Sequence, residues 1–321
     1  MAVTIKDVAE ASGFGIGTVS RVINGKEYVK EETREKILLT AKRLGYRPNK
    51  IAKMLASGYF SDSTIGIILP EIAHRFFFEI ISGIYSELNE QGYNLLIFNI
   101  GKNREQVFEH IARENFSGLL VLGYPMAERE KRILRARFTR FIYLDYMDRE
   151  ENSIFFDNQK GGRLAASYLA EKDCRNICFI GRNIDSQQQA ERFEGFCRGL
   201  NEKGLKLKDR IDIEIDEEES YRVTEEIIKK RDVHGIFYFC DELAYGGLRA
   251  KEKLGKDIRI IGYDDLIISS FMGLSTIRQD ARSIGIRGAK KIVELVQSKG
   301  SSEEEHPLFE CMEPVLVDRG S

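Results

Sequence analysis

From Thr64 onward, short apolar runs rich in Ile, Leu, Val and Phe alternate with segments of helical periodicity. Apolar strands separated by helices are typical of parallel sheets covered on both faces. The alternation predicts strands at 65–69, 94–98, 118–122 and 141–144 and helices at 77–91, 103–115 and 127–137. It begins again with strands at 154–156, 177–180, 211–213, 235–239 and 258–261. We therefore predict an α/β body of two doubly wound parallel-sheet halves, with a cleft between them as the default pocket.

The first 24 residues have a different pattern, with two short amphipathic runs separated by a glycine. Thr4 can cap the first run through its hydroxyl, and Asp7 suits the positive end of a helix. Helical spacing resumes after a break at residues 12–13, with Ser20 and Arg21 on the outward side. Such a pair is either a plain helical hairpin or a helix-turn-helix, whose second helix enters the DNA major groove. In the latter, Arg21 could bind guanine O6 and N7 through two hydrogen bonds.

A third helical segment is predicted at residues 31–44, ending before Gly45. Its acidic start, Glu31-Glu32, suits the helix dipole. Apolar residues recur at helical spacing along it, namely Ile37, Leu38, Ala41 and Leu44. We expect this helix to pack against the first two.

Length and charge agree with a small basic module attached to a larger body. The chain has 321 residues, more than one typical domain, and its 42% hydrophobic and 31% charged residues are ordinary for a globular protein. The net charge is −2, yet residues 1–60 hold 11 Lys or Arg against 6 Asp or Glu. Positive charge is thus concentrated where DNA binding is expected.

Other features exclude several classes of protein. The five cysteines show no CxxC pair, so we expect reduced core thiols at positions 174, 178, 197, 240 and 311. No apolar run approaches the ~20 residues of a membrane span, and the N-terminus has no signal-peptide pattern, so we expect a cytoplasmic protein. His74 and His234 lack metal-ligand spacing, and we expect neither a metal nor a cofactor.

Several motifs together are similar to those of LacI/GalR-type transcriptional regulators. The N-terminal motifs are TIKDVA at 4–9, TVSRVIN at 18–24 and YRPNKIAKMLASG at 46–58. Those of the body lie at 156–162, 192–196, 260–264, 275–279 and 316–321, so the resemblance covers about residues 4–319.

The resemblance implies three segments: a helix-turn-helix domain at 1–47, a hinge helix at 48–61 and a periplasmic-binding-protein-like body at 62–321. The body would comprise an N-subdomain, at about 62–157 and 282–306, and a C-subdomain, at about 160–279 and 308–321. The chain would cross between them near 157–160, 278–282 and 306–309.

For the DNA-binding residues, the resemblance implies that Leu55 of the hinge helix enters a minor-groove base step and kinks the duplex. Lys53 replaces the family's usual Arg. Gly15 stands where a Ser usually caps the recognition helix, and Gly17 occupies a base-reading position, so reading would shift to Ile16 and Arg21. The complete predicted set is Thr4, Ile16, Gly17, Thr18, Ser20, Arg21, Asn24, Tyr46, Asn49, Ala52, Lys53 and Leu55.

Effector residues are expected where strands end, because carboxylates, Arg and aromatic rings suit a sugar-like ligand. The resemblance implies that Arg192 and Asp264 are an effector-binding pair. The complete predicted set is Phe76, Phe77, Asp145, Tyr146, Asp157, Asn158, Arg192, Asp241 and Asp264. Helix capping or a loop turn is an equal alternative for Asp145 and Asp157, and core packing is the stronger one for at least one Phe ring.

The resemblance implies a homodimeric repressor that binds a palindromic operator of a sugar-utilisation operon and responds to a sugar or sugar phosphate. A catabolite-control regulator that uses a phosphocarrier protein as corepressor is an alternative. A nucleotide-dependent α/β enzyme is disfavoured, since residues 13–17 read GFGIG, which is not GxGxxG and follows no strand. We therefore predict a regulator and not an enzyme.

Overall fold

A computed structural model describes residues 3–23, 29–46, 63–70, 75–101, 103–137, 141–298 and 306–321. The chain divides into two compact units, one before and one after the boundary between Asp62 and Ser63. No helix in these described segments is both long and apolar enough to cross a membrane.

The first unit contains three helices, α1 (Ile5–Ser12), α2 (Ile16–Ile23) and α3 (Glu31–Arg43). Thr4 and Asp7 form a capping box at the start of α1, because each side chain accepts a hydrogen bond from the other's backbone N–H. Gly13 ends α1 with a left-handed φ of 75°, which glycine adopts at low cost. The helices enclose a small core of Val8, Ala9, Val19, Val22, Ile37 and Ala41. The predicted helix-turn-helix is confirmed.

The second unit is an α/β body with two six-stranded sheets. Its strands are β1 (Thr64–Leu69), β2 (Asn94–Asn99), β3 (Gly118–Leu122), β4 (Phe141–Leu144), β5 (Asn152–Phe156), β6 (Ile177–Arg182), β7 (Leu207–Ile213), β8 (Gly235–Tyr238), β9 (Arg259–Asp264), β10 (Ser275–Arg278), β11 (Phe309–Met312) and β12 (Val315–Val317). Its helices are α4 (Arg75–Glu90), α5 (Arg104–Ile111), α6 (Glu128–Arg137), α7 (Asn158–Glu171), α8 (Gln187–Glu202), α9 (Glu217–Lys230), α10 (Asp241–Leu254), α11 (Ile267–Phe271) and α12 (Ala281–Gln297).

The strand orders confirm two doubly wound halves. The first sheet runs β11-β5-β4-β3-β1-β2, and all its pairs are parallel. The second runs β12-β10-β9-β8-β6-β7, and its only antiparallel pair among the described residues joins β10 to β12. Every residue of β1, β3, β4 and β8 is buried, as expected for parallel strands with helices on both faces.

Close packing of α7 against α8 positions part of the second half. Gly162 lies on α7 and Gly195 on α8. A Cβ at Gly162 would collide with the backbone oxygen of Arg192, and one at Gly195 with that of Gln159. The two backbones can approach this closely only because both positions are glycine.

The third predicted crossing, at 306–309, is wrong. β11 adds to the edge of the first sheet, in parallel register with β5, with Phe309 opposite Ser153 and Met312 opposite Phe156. The chain therefore passes to the second sheet between Met312 and Val315, and the C-subdomain cannot begin at 308. Exposure alternates along this edge strand, but Phe-Glu-Cys-Met has no matching apolar–polar alternation and is too short to be recognised as a strand in the sequence.

The prediction that all five cysteines are core thiols is also only partly correct. Cys174, Cys178 and Cys240 are buried, whereas Cys197 is half-buried and Cys311 is exposed. Cys311 differs because it lies on β11 at the sheet edge.

Candidate functional site

A cavity of about 570 Å³ lies between the two halves, beyond the carboxyl ends of their parallel strands. Its size is within the range of small-molecule sites. Six of the nine predicted effector residues line it, namely Phe76, Phe77, Asp145, Tyr146, Arg192 and Asp264. The position is the one expected for a ligand of doubly wound sheets.

A second depression, of about 900 Å³, lies beside the crossings of the chain. It shares Phe76 and Asp264 with the cleft, but charged side chains on its wall pair with each other, as Arg287 does with Glu310. The cleft is the stronger candidate because it contains buried polar atoms that lack partners.

Arg192 is a buried polar side chain of the cleft that the protein holds through several contacts. Its side chain is 3% exposed and lies over the Tyr263 ring, with the guanidinium carbon 3.7 Å from the ring centroid. Nε donates to Asn158 Oδ1 at 2.9 Å, Nη1 to the Phe239 carbonyl at 2.9 Å, and Nη2 to Gln279 Oε1 at 3.1 Å. The protein thus holds the guanidinium in one orientation, which is the preorganisation that a binding group needs.

Two buried carboxylates flank this arginine. Asp264 Oδ1 lies 3.7 Å from Arg192 Nη1 and has no hydrogen-bond partner, and Asp145 Oδ1 also lacks one. Burial raises the pKa of Asp145 to about 7 and that of Asp264 well above its ordinary value, although the Arg192 charge opposes both shifts. Both residues also adopt a positive φ, 53° for Asp145 and 111° for Asp264, and such strain is concentrated at binding sites.

Unpaired buried polar atoms are concentrated at the cleft. Among the described residues there are four, and three belong to residues that line the cavity: Asp145 Oδ1, Asp264 Oδ1 and Arg182 Nε. The fourth is the Tyr143 hydroxyl. Each such atom costs about 1–3 kcal/mol when it has no partner. A ligand that supplies two donors and one acceptor would remove this cost.

Arg182 was missed by the sequence analysis. It is the last residue of β6, so it lies at the same carboxyl edge as the predicted carboxylates. Its position directly after the five buried residues of β6 was a usable signal, because strand ends at this edge meet the cleft.

The helix α8 of the second half also contacts the first half directly. Gln187 donates to the Met147 carbonyl at 3.1 Å and accepts from the Met147 N–H at 2.9 Å. Gln188 donates to the Asp145 carbonyl and, at 3.5 Å, to Asp145 Oδ2. A salt bridge of 3.3 Å between Arg75 and Glu242 adds another contact between the halves. The carboxylate of Asp145 is therefore linked to the closure of the cleft.

Three predicted effector residues do not line the cavity. Asp157 caps α7 by accepting from the Lys160 N–H at 2.7 Å, which was the alternative expected for it. Asn158 lies behind Arg192 and orients its Nε.

Asp241 is the clearest correction, because its side chain is enclosed away from the cleft. Its oxygens accept from Leu266 N–H at 2.9 Å and from the Ser269 and Thr276 hydroxyls at 2.6 Å each. These bonds join α10 to β10 and α11, so the role of Asp241 is structural.

In the first unit, α2 exposes a surface at its start. Ile16 is 49% exposed, Gly17 and Arg21 are exposed, and a Cβ at Gly15 or Gly17 would meet no atom within 4 Å. Thr18, Ser20 and Tyr46 are half-buried, and Thr4 caps α1. The remaining predicted DNA contacts lie outside the described residues: Asn24, Asn49, Ala52, Lys53 and Leu55.

Comparisons with known proteins agree with this architecture. Residues 4–49 match the family model for bacterial regulatory proteins of the lacI family, and residues 62–301 match that for periplasmic binding proteins and the sugar binding domain of the LacI family. The HTH-type transcriptional repressor PurR of Vibrio atlanticus (strain LGP32) is 30% identical over 99% of this chain and 98% of its own length.

Solved structures show the same fold. The lac repressor dimer bound to operator and the anti-inducer ONPF has a TM-score of 0.84, at 24% identity over 99% of this chain and 98% of that one. A LacI family transcriptional regulator from Enterococcus faecalis V583 with bound ribose has a TM-score of 0.71, at 26% identity over 80% of this chain and 97% of that one.

A helix-turn-helix unit followed by a two-halved body with a ligand-sized cleft defines an effector-responsive DNA-binding regulator. This chain belongs to the LacI family of bacterial regulatory proteins. It is a DNA-binding transcriptional repressor with an effector-binding domain, and its relatives are regulators and not enzymes.

Proposed function

We propose that this repressor binds a palindromic operator of a sugar-utilisation operon as a homodimer, and that its effector is a small sugar or sugar phosphate bound in the cleft. Repression of chromosomal operators places the protein in the cytoplasm. The observation that carries the effector proposal is that three residues lining the cavity have buried polar atoms without partners, namely Asp145 Oδ1, Asp264 Oδ1 and Arg182 Nε.

Hydroxyl groups suit these three atoms, because a hydroxyl can donate to a carboxylate and also accept from a guanidinium. Aromatic rings provide the complementary apolar wall for the C–H face of a sugar, and those lining the cavity are Phe76, Phe77, Tyr124, Tyr146 and Phe239. A polyhydroxylated ring therefore satisfies both the polar and the apolar surfaces. The bound ribose in the related Enterococcus faecalis regulator supports the same class of ligand.

For DNA, we propose that α2 enters the major groove and that Arg21 and Ile16 read base edges. Arg21 offers two parallel donors to a guanine, and Ile16 offers methyl groups to a thymine. Gly17 contributes no side chain, so the helix start can approach the bases closely. The proposal also includes the hinge helix, whose Leu55 enters a base step of the minor groove.

The homodimer is supported by the similarity to the lac repressor dimer and by exposed apolar side chains on the body. Phe78 and Tyr85 are 65% and 60% exposed on one face of α4, and Phe271 is 85% exposed at the end of α11. Exposed apolar patches are typical of protein–protein interfaces. A second copy of this chain is the proposed partner.

Control of repression then follows as a shift between two arrangements of the halves. An effector that binds one arrangement more tightly shifts the population toward it, and operator affinity changes by the same coupling free energy. An inducer favours the arrangement that releases DNA, and a corepressor favours the one that binds it.

Isothermal titration calorimetry of the full-length protein with a panel of pentoses, hexoses and their phosphates tests the effector proposal. We expect at least one member to bind with a micromolar dissociation constant and Asp264→Asn to weaken it by roughly tenfold or more. Absence of binding across the panel would remove the sugar class.

A further inference from the structure

Arg182 stands out in the cleft because its guanidinium has no acidic partner. Its Nε is buried and makes no hydrogen bond, and within the described segments no carboxylate forms an ion pair with it. Its guanidinium carbon lies 5.2 Å from the centroid of the Phe239 ring. We propose that the effector carries an anionic group, a carboxylate or a phosphate, that binds Arg182. This inference rests on the proposed function and specifies which sugars the site takes.

Two hydrogen bonds hold the backbone of Arg182 and so fix the position of its Cα at the end of β6. Gln189 Oε1 accepts from the Arg182 N–H at 2.7 Å, and Gln189 Nε2 donates to the Arg182 carbonyl at 2.9 Å. Gln189 itself is buried on the first turn of α8. These bonds tie the end of β6 to the helix that carries Arg192.

The neighbouring charges leave Arg182 under-compensated. Burial and the nearby Arg192 charge lower its pKa, so an anion at this point would relieve both effects. Arg192 is committed to the protein more than Arg182 is, because three of its five N–H groups already donate to Asn158, Phe239 and Gln279. Asp145 and Asp264 are the buried carboxyls whose charges act on Arg182, but burial raises the pKa of each and so disfavours its charged form. Their negative charge therefore compensates Arg182 only weakly.

Two other acidic residues line the cavity but do not neutralise Arg182. Asp185 and Glu214 are exposed at its mouth, where water solvates their charges, and neither forms an ion pair with Arg182. A neutral hydroxyl could accept one hydrogen bond from Nε and would leave the positive charge uncompensated. A carboxylate or phosphate supplies both the acceptor and the charge, and it can engage the planar guanidinium through two parallel bonds.

Calorimetry with matched ligands tests this inference on the full-length protein. The probes are glucose, glucuronate and glucose 6-phosphate, with ribose and ribose 5-phosphate as a second series. We expect an anionic member of one series to bind about tenfold more tightly than its neutral counterpart at low salt. The carboxylate and phosphate arms distinguish the two sources of negative charge.

Variants at two arginines complete the test. Arg182→Gln should remove the preference for the anion, Arg182→Lys should retain part of it, and Arg198→Gln, on the exposed side of α8, should leave it unchanged. Circular dichroism melting checks that each variant is folded. Equal or tighter binding of the neutral sugar, or a preference that survives Arg182→Gln, would overturn the inference while leaving the proposed function in place. If no member of either series binds, the inference is overturned, and the wider panel of pentoses, hexoses and their phosphates decides whether the sugar class is removed as well.

Discussion

Gln187 and Met147 join the two halves of the body through two reciprocal hydrogen bonds, at 2.9 and 3.1 Å. Gln187 begins α8 in the second half, and Met147 follows β4 in the first. The adjacent Gln188 binds Asp145, a cavity-lining residue whose Oδ1 has no hydrogen-bond partner. Ligand contact with Asp145 and closure of the cleft therefore act on the same short segment.

Gln187→Ala should weaken effector binding because it removes both bonds that hold the halves together. Each hydrogen bond contributes about 1 kcal/mol, so we predict a loss of affinity of roughly fivefold to 30-fold, measured by calorimetry. The control is Gln91→Ala, which removes an exposed amide whose side chain donates to Glu87, four residues earlier in the chain. Equal affinities for wild type and Gln187→Ala would show that these bonds do not favour the binding-competent arrangement.

Arg192→Ala should abolish the effector response and also destabilise the body. The substitution removes the donor to Gln279 Oε1 and to the Phe239 carbonyl, one of the donors to Asn158 Oδ1, and the countercharge of Asp264. We predict that the free energy of unfolding falls by about 3–5 kcal/mol in urea titrations.

Operator binding by the Arg192→Ala variant should persist at temperatures where it stays folded, since the DNA-binding helices form a separate unit. Arg198→Ala, on the same helix but exposed, should change neither property. A normal effector response in Arg192→Ala would place the effector elsewhere.

Asp145→Asn should change how stability depends on pH. Folding raises the pKa of Asp145 from an ordinary 3.8 to about 7, so between these values the folded state binds more protons than the unfolded state. The free energy of unfolding of the wild type therefore falls as pH rises from about 4 to about 7, and the cost is complete above pH 7. Asparagine is neutral throughout, so the free energy of unfolding of the variant should not show this fall with pH. At pH 8 it should exceed that of the wild type by roughly 1–4 kcal/mol.

Urea unfolding at pH 5, 6, 7 and 8 measures the effect, with the exposed Asp257→Asn as control. The pKa of Asp264 is also raised by burial, so the free energy of unfolding of the variant should still fall somewhat as pH rises. Parallel curves for wild type and Asp145→Asn would mean that Asp145 titrates as an ordinary carboxyl.

Arg21→Ala should weaken operator binding by about 1–3 kcal/mol and relax the preference for a guanine in each half-site. The reason is that Arg21 is an exposed cation on the outward face of α2. Arg43→Ala, exposed in the last turn of α3, should cause a smaller loss that is uniform across sequences. Fluorescence anisotropy with operator variants measures both; an unchanged sequence preference in Arg21→Ala would exclude base reading by this residue.

Local sequence signals predicted the elements that depend on neighbours along the chain. The capping box of Thr4 and Asp7, the left-handed Gly13 and the apolar runs of the central strands are all short-range features. The rule that ligands meet the carboxyl ends of parallel strands was enough to propose Asp145 and Asp264. It failed at Asp241 because a strand end fixes the position of the Cα and not the direction of the side chain.

What the sequence could not predict depends on long-range pairing. The side chain of Asp241 turns toward Ser269 and Thr276, which lie 28 and 35 residues further along the chain. Gln187 reaches Met147 over 40 residues, and β11 finds β5 across most of the body. Arg182 could have been proposed from its place at the end of β6, but its lack of an acidic partner is visible only in three dimensions.

Operator affinity in the presence and absence of a saturating cleft ligand tests the central claim most directly. The ligand is the tightest binder from the calorimetric panel, and anisotropy with a fluorescent operator is measured at one fixed salt concentration. We predict a change of at least about fivefold, in either direction, that disappears in Arg192→Ala. The same operator affinity with the cleft empty and filled would contradict the account.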